Sequence, residues 1–151
     1  MSINEISVAR DVVIRCRKLA PEEKKLILPV INKLNINVIG PNDELTGKKV
    51  RGFRLEEKKY NADSYIDVLR KIIKIVFSEH PKEINKILSI CGRKRVYFSH
   101  NSNELRMPEL IRGTNIHFET NENAKSICMR CEKILKLYNM DYLSFEIEYY
   151  R

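Results

Sequence analysis

Hydrophobic positions along this chain recur in two periods, one helical and one alternating. Residues 5–19 place Ile6, Ala9, Val13 and Cys16 at helical spacing, and a second segment opens at Pro21 with Glu22 and Glu23 in its first turn. Leu26, Ile27, Val30, Ile31 and Leu34 give that second segment an apolar face, which Pro29 is expected to kink or shorten. The two segments read as a helical hairpin or one bent helix. Too small to bury its apolar side alone, this extension is expected to pack on the rest of the chain or on another copy, which makes residues 1–36 a candidate homodimer surface.

Turn formers and charge concentrate in Gly40-Pro41-Asn42-Asp43-Glu44-Leu45-Thr46-Gly47-Lys48-Lys49, the expected linker. The chain therefore divides into a helical N-terminal extension and linker over residues 1–47 and a second domain over 48–151. In that domain Val50 to Leu55 and Lys58 to Tyr60 predict a short hairpin around Glu56-Glu57. Ser64 stands three residues before Asp67, and Tyr65, Val68, Leu69, Ile72, Ile73 and Val76 form one stripe, so a capped core helix follows. His80-Pro81 ends it. A shorter helix through Ile84, Ile87 and Leu88 is expected to close near Gly92, where a basic strand begins. After a polar turn at His100–Asn103, Glu104-Leu105-Arg106 reads as one helical turn before Pro108. Asn115 to Glu119 alternates as a strand. Ala124, Ile127, Cys128, Cys131, Ile134, Leu135 and Tyr138 share one side of a last helix, and Leu143, Phe145, Ile147 and Tyr149 alternate in a closing strand. The pattern predicts an α+β fold: a small antiparallel β-sheet packed with α-helices, preceded by the helical extension.

Charge narrows the partner. Across 151 residues there are 28 Lys and Arg against 20 Asp and Glu, a formal net charge of +8, which favours an anionic partner. No apolar run approaches the length of a membrane span, and Met1-Ser2-Ile3-Asn4-Glu5 is not a secretory start. The expectation is a soluble, cytoplasmic, nucleoid-associated protein with no membrane partner. Four cysteines without regular spacing read as reduced thiols.

Two stretches suit a nucleic acid. In Cys91-Gly92-Arg93-Lys94-Arg95-Val96-Tyr97-Phe98, a strand would put Arg93 and Arg95 on one face and Lys94 on the other, with Val96 and Phe98 anchoring it. Two guanidinium forks at alternate positions match successive phosphate oxygens. In Thr120-Asn121-Glu122-Asn123, two asparagines precede a helix. Asn pairs bidentately with the N6/N7 edge of adenine, orphan amides at a helix start attract phosphate, and a single Asn is also an ordinary helix cap.

The order of Gly92-Arg93-Lys94-Arg95-Val96-Tyr97-Phe98, Gly113-Thr114 and Thr120-Asn121-Glu122-Asn123 resembles the C-terminal DNA-binding domain of the SeqA family of replication-initiation modulators, over residues 65–140. That resemblance implies a non-catalytic reader of double-stranded DNA, with a regulatory role, at GATC sites whose adenine is methylated on one strand. By position it implies phosphate contacts from Arg93, Lys94 and Arg95 and base-edge contacts from Asn121 and Asn123; Lys125 is expected to add a phosphate contact, with Thr120, Glu122 and Ser126 also at the DNA. Arg112 and Asn115 flank the Gly-Thr pair where the family has prolines, and Ala124-Lys125-Ser126 follows the turn where the family has a basic pair. Residues 1–50 do not resemble the family's oligomerising N-terminus.

Two other chemistries have candidate residues. Cys128 and Cys131 form a CxxC that, with Cys91 and one of His80, His100 or His117, has zinc-ligand chemistry. Both fall on an apolar helix stripe, where free cysteine behaves as a small hydrophobe. For a metal-dependent nuclease, Glu56-Glu57-Lys58-Lys59 is the nearest acidic run, but it reads as a hairpin tip. His117 lacks an acid partner for general-base work. No cofactor and no catalytic residue are expected. The remaining alternative is a protein-interaction adaptor whose N-terminal helices bind a partner.

Overall fold

A computed structural model describes residues 19–33 and 47–150. The expected helix over residues 5–19, apart from its last residue, and most of the expected linker lie outside them. The described chain is α+β, with two small antiparallel sheets rather than one.

Helix α1 (Pro21–Lys33) runs through Pro29 without ending there. It touches the domain through a face that matches the expected stripe only at Ile27 among the described side chains. Leu28 is buried and Ile27 packs beside it, whereas Leu26 is 80 % exposed and Val30 60 %. Lys24 and Leu28 are one turn apart, and Lys24 Nζ lies 3.4 Å from Asp141 Oδ2. The ion pair and the buried leucine together select that face.

Strands β1 (Val50–Leu55) and β2 (Lys58–Asn61) form the expected hairpin. Glu56 and Glu57 at its tip both have positive φ, 50° and 68°, the geometry of a turn that matches strand twist. Phe53 stacks on Tyr60 across the pair at 4.8 Å. Gly52 permits this approach, because a Cβ there would lie 2.2 Å from the Tyr60 carbonyl oxygen. On its other edge β1 pairs with β6 (Glu146–Tyr149), so the first sheet runs β2-β1-β6.

Helix α2 (Tyr65–Glu79) is capped by Ser64, whose hydroxyl accepts from the Asp67 amide at 3.1 Å. Its stripe is buried as expected: Val68, Leu69, Ile72, Ile73 and Val76. Pro81 then opens a 3-10 helix through Ser89 that buries Ile84 and Ile87. Helix α3 (Ala124–Leu137) packs against α2 with Ile127, Cys131, Ile134 and Leu135 inward. It ends with Asn139 at φ 54°, and the Met140 and Asn139 amides donate back to the Leu135 and Lys136 carbonyls. That left-handed closure satisfies the last carbonyls.

The second sheet holds β3 (Phe98–Ser99), β4 (Pro108–Leu110) and β5 (His117–Glu119), in the order β3-β5-β4. Strand β4 was not expected, and the helical turn expected at Glu104–Arg106 is replaced by a 3-10 turn that starts earlier, at Ser102–Glu104, with Leu105 already extended. A fork of two contacts ties β4 to α2, Arg70 Nε and Nη2 donating to Glu109 at 2.7 and 2.8 Å. Gly113 at φ +85° and the Thr114 hydroxyl, which donates to the Ile111 carbonyl, close the β4–β5 turn. The closing segment is a 3-10 turn, Tyr142–Ser144, before β6 rather than one continuous strand.

We expect Gly52→Ala to destabilise the fold by about 1–3 kcal/mol through forced separation of β1 from β2. Urea unfolding checks this, and an unchanged midpoint would contradict the close approach.

Candidate nucleic-acid interface

The basic run does not continue as a strand. Cys91 bridges Val96, and the Gly92 amide donates to the Arg95 carbonyl at 2.9 Å, leaving Arg93 and Lys94 as the exposed tip of a tight turn. Alternation of faces applies only inside a strand, so it no longer pairs Arg93 with Arg95: Arg93 is exposed, whereas Arg95 is half-buried. Val96 is 42 % exposed rather than an anchor; Phe98 is buried as expected. Gly92 packs on Tyr97, since a Cβ there would meet the phenol oxygen at 2.9 Å.

The helix-opening turn is built around a buried carboxylate. Glu119, at the end of β5, accepts from the Arg106 and Met107 amides at 2.8 Å each, and from those of Thr120 and Asn121 at 3.1 Å. Burial alone would raise its pKa, but these amides and the Arg95 guanidinium outweigh burial and hold it below the ordinary carboxylate value. Thr120 adds its amide and hydroxyl to the Met107 carbonyl at 3.0 and 2.7 Å. Asn123 is the cap of α3, its Oδ1 accepting from the Ser126 amide at 2.8 Å.

Glu122 joins the two stretches. Its carboxylate, 2 % exposed, lies between two guanidiniums: Arg95 Nη1 is 2.9 Å from one oxygen and Arg130 Nη2 2.9 Å from the other. Both contacts are close but outside hydrogen-bond angles, Glu122 Oε1 and Arg130 Nη2 having no hydrogen-bond partner among the described residues, so the attraction is chiefly Coulombic. Arg130 Nη1 donates to the Glu119 carbonyl at 3.0 Å. Arg95 Nη2 donates to the Asn121 carbonyl at 3.2 Å and lies 3.5 Å from Glu119 Oε2. The Tyr97 ring lies beneath, 3.9 Å from the Arg130 guanidinium carbon. Burial lowers the Arg130 pKa, and Glu122 opposes that shift.

The expected residues are thus brought to one junction, in unequal roles. Arg93 and Lys94 are exposed and make no ion pair among the described residues, while Arg95, 31 % exposed, is held by carboxylates. Asn121 is exposed. With the Asn123 oxygen engaged as cap, Asn121 is the asparagine whose amide keeps both donor and acceptor for a base edge. Lys125 and Ser126 sit half-buried in the first turn of α3. Glu119, Tyr97 and Arg130 were missed. The signal for Arg130 was its place on the apolar stripe of α3, between Ile127 and Ile134, where a charge needs a partner.

Cys128 and Cys131 are buried on α3, and Cys91 is exposed. Burial pushes the Cys128 thiol up to about 12 and the Cys131 thiol well above its ordinary value. Among the described residues no three His, Cys, Asp or Glu side chains cluster as metal ligands, and no helix is long and apolar enough to cross a membrane. His117 is half-buried in β5, its Nδ1 enclosed without a hydrogen-bond partner among the described residues. No protein-family model matches this chain, and no curated protein or solved structure matches it significantly.

Two outcomes are expected. Arg130→Ala leaves Glu122 buried with half its compensation and should cost about 3–5 kcal/mol in urea unfolding; a loss below about 1 kcal/mol would show a dispensable pair. The folded pKa of Glu119 lies below its unfolded value, so its contribution is complete above about pH 4.3 and is lost as pH falls through the lower folded value. Melting temperature should therefore fall more steeply on the acid side for the wild type than for Glu119→Gln. Parallel curves would contradict this.

Proposed function

We propose that this chain is a non-catalytic, regulatory protein that binds double-stranded DNA, in the manner of the SeqA-like domains its motifs resemble. The observation that supports the reading is the contact between the basic turn and the helix start, Arg95 Nη2 donating to the Asn121 carbonyl at 3.2 Å. It sets two exposed cations, a helix N-terminus and an exposed Asn side by side. Arg93 and Lys94 take backbone phosphates, helped by the first amides of α3 and by Lys125. Asn121 reads a base edge in the major groove, with adenine the base whose N6 and N7 fit its donor–acceptor pair. Preference for a hemimethylated GATC site rests on the resemblance alone.

Fluorescence anisotropy on duplexes with unmethylated, hemimethylated or fully methylated GATC, beside a scrambled control, tests the reading. Replacing Arg93 and Lys94 together by Ala should lower the slope of log K against log salt by about 1.8, at about 0.9 per phosphate, equally on all duplexes. Asn121→Ala should cost about 1–3 kcal/mol on the preferred duplex and little on the scrambled one. Equal losses everywhere would remove Asn121 as a base reader, and no salt-sensitive binding by the wild type would remove the reading itself.

The adaptor reading draws on one observation, the outward-facing Leu26 and Val30 of α1. If they seat a second copy, replacing both with Asp should halve the mass measured by light scattering; an unchanged mass excludes that surface.

A further inference from the structure

The second half of α3 carries basic residues that the reading above leaves unused. At 100° per residue, Lys136 falls roughly 20° and Lys133 roughly 80° around the helix from Lys125. All three occupy one side of α3, spread along about 16 Å of its axis.

Lys133 and Lys136 also line a cleft of about 330 Å³ with Ser89, Ile90, Cys91 and Leu137. Its far wall is the base of the basic turn, since Cys91 stands two residues before Arg93. Its floor is apolar, with Ile90 buried and Leu137 packed on the core. Lys133 is exposed. Lys136 is held, its Nζ 4.7 Å from the centre of the Tyr142 ring, and burial lowers its pKa while the nearby Glu132 opposes that shift. A cation over an apolar floor attracts an anion more strongly than one surrounded by water, because less of its field is screened.

We infer that this cleft is a second phosphate site, where the sugar–phosphate backbone of the bound duplex runs along the lysine side of α3 away from Asn121. The inference rests on the DNA-binding reading and adds a direction to it. The backbone then meets Lys125 at the start of the helix and the Arg93-Lys94 tip beside it. Lys133 follows further along. Lysine serves such a site as a point charge, taking whichever phosphate oxygen comes within reach, so the contact adds affinity without sequence preference.

The test uses the full chain and a labelled duplex titrated over a range of salt concentrations. Lys133→Ala, a change at an exposed position, should lower the slope of log K against log salt by about 0.9 and weaken binding several-fold on every sequence. Cys91 gives an independent readout. Its alkylation by N-ethylmaleimide, followed by peptide mass mapping, should slow several-fold when duplex is bound, with the buried Cys128 and Cys131 unmodified in either state. An unchanged slope for Lys133→Ala, or a Cys91 rate indifferent to a duplex that does bind, overturns the second site and leaves the DNA reading standing. Failure of the wild type to bind any duplex at low salt overturns both.

Discussion

One carboxylate between two guanidiniums organises this domain. Glu122 lies with Arg95 on one side and the buried Arg130 on the other, and each arginine reaches on to the backbone of the strand-to-helix turn. Burying ions is expensive, and the attraction between them offsets that cost only when geometry and further hydrogen bonds are good. Here the surrounding groups help: Glu119 gathers four backbone amides, and Tyr97 presents its ring face to Arg130. Such a network adds little net stability over an apolar core of equal volume. What it contributes is position, because a short turn and a helix start far apart in sequence are locked against each other.

That arrangement separates structural charge from functional charge. Two arginines and two glutamates cancel inside the junction, whereas Arg93 and Lys94 stand outside it, exposed. The net charge of +8 does not reveal which cations are available to a partner, and the ion pairs do. The same distinction divides the asparagines, one capping α3 and the other presented to solvent.

Much of the fold was legible because its signals are local. The stripe of α2 with its Ser64 cap, the Glu56-Glu57 tip and the apolar face of α3 follow from spacing and turn chemistry, and each stands where it was expected. The failures are where tertiary contacts decide. Strand β4 is three residues long and begins with Pro108; it exists because β5 lies beside it and because Glu119 holds the preceding amides. Arg95 leaves the expected strand face because two buried acids draw it inward, a fact that no periodicity in residues 91–98 encodes. Helix α1 turns Leu28 inward for a similar reason, its partner Asp141 lying more than a hundred residues away. Of the site, the two motifs were readable and their meeting point was not.

The most direct test of that meeting point is the ¹H–¹⁵N spectrum of the full chain titrated with a GATC duplex. The account predicts that amide signals of Arg93, Lys94, Asn121 and Lys125 move together, at one duplex concentration, while those of the β1–β2 hairpin stay in place. Shifts confined to one of the two stretches, or centred on α1, would contradict a single DNA surface built on the Arg95–Glu122–Arg130 junction.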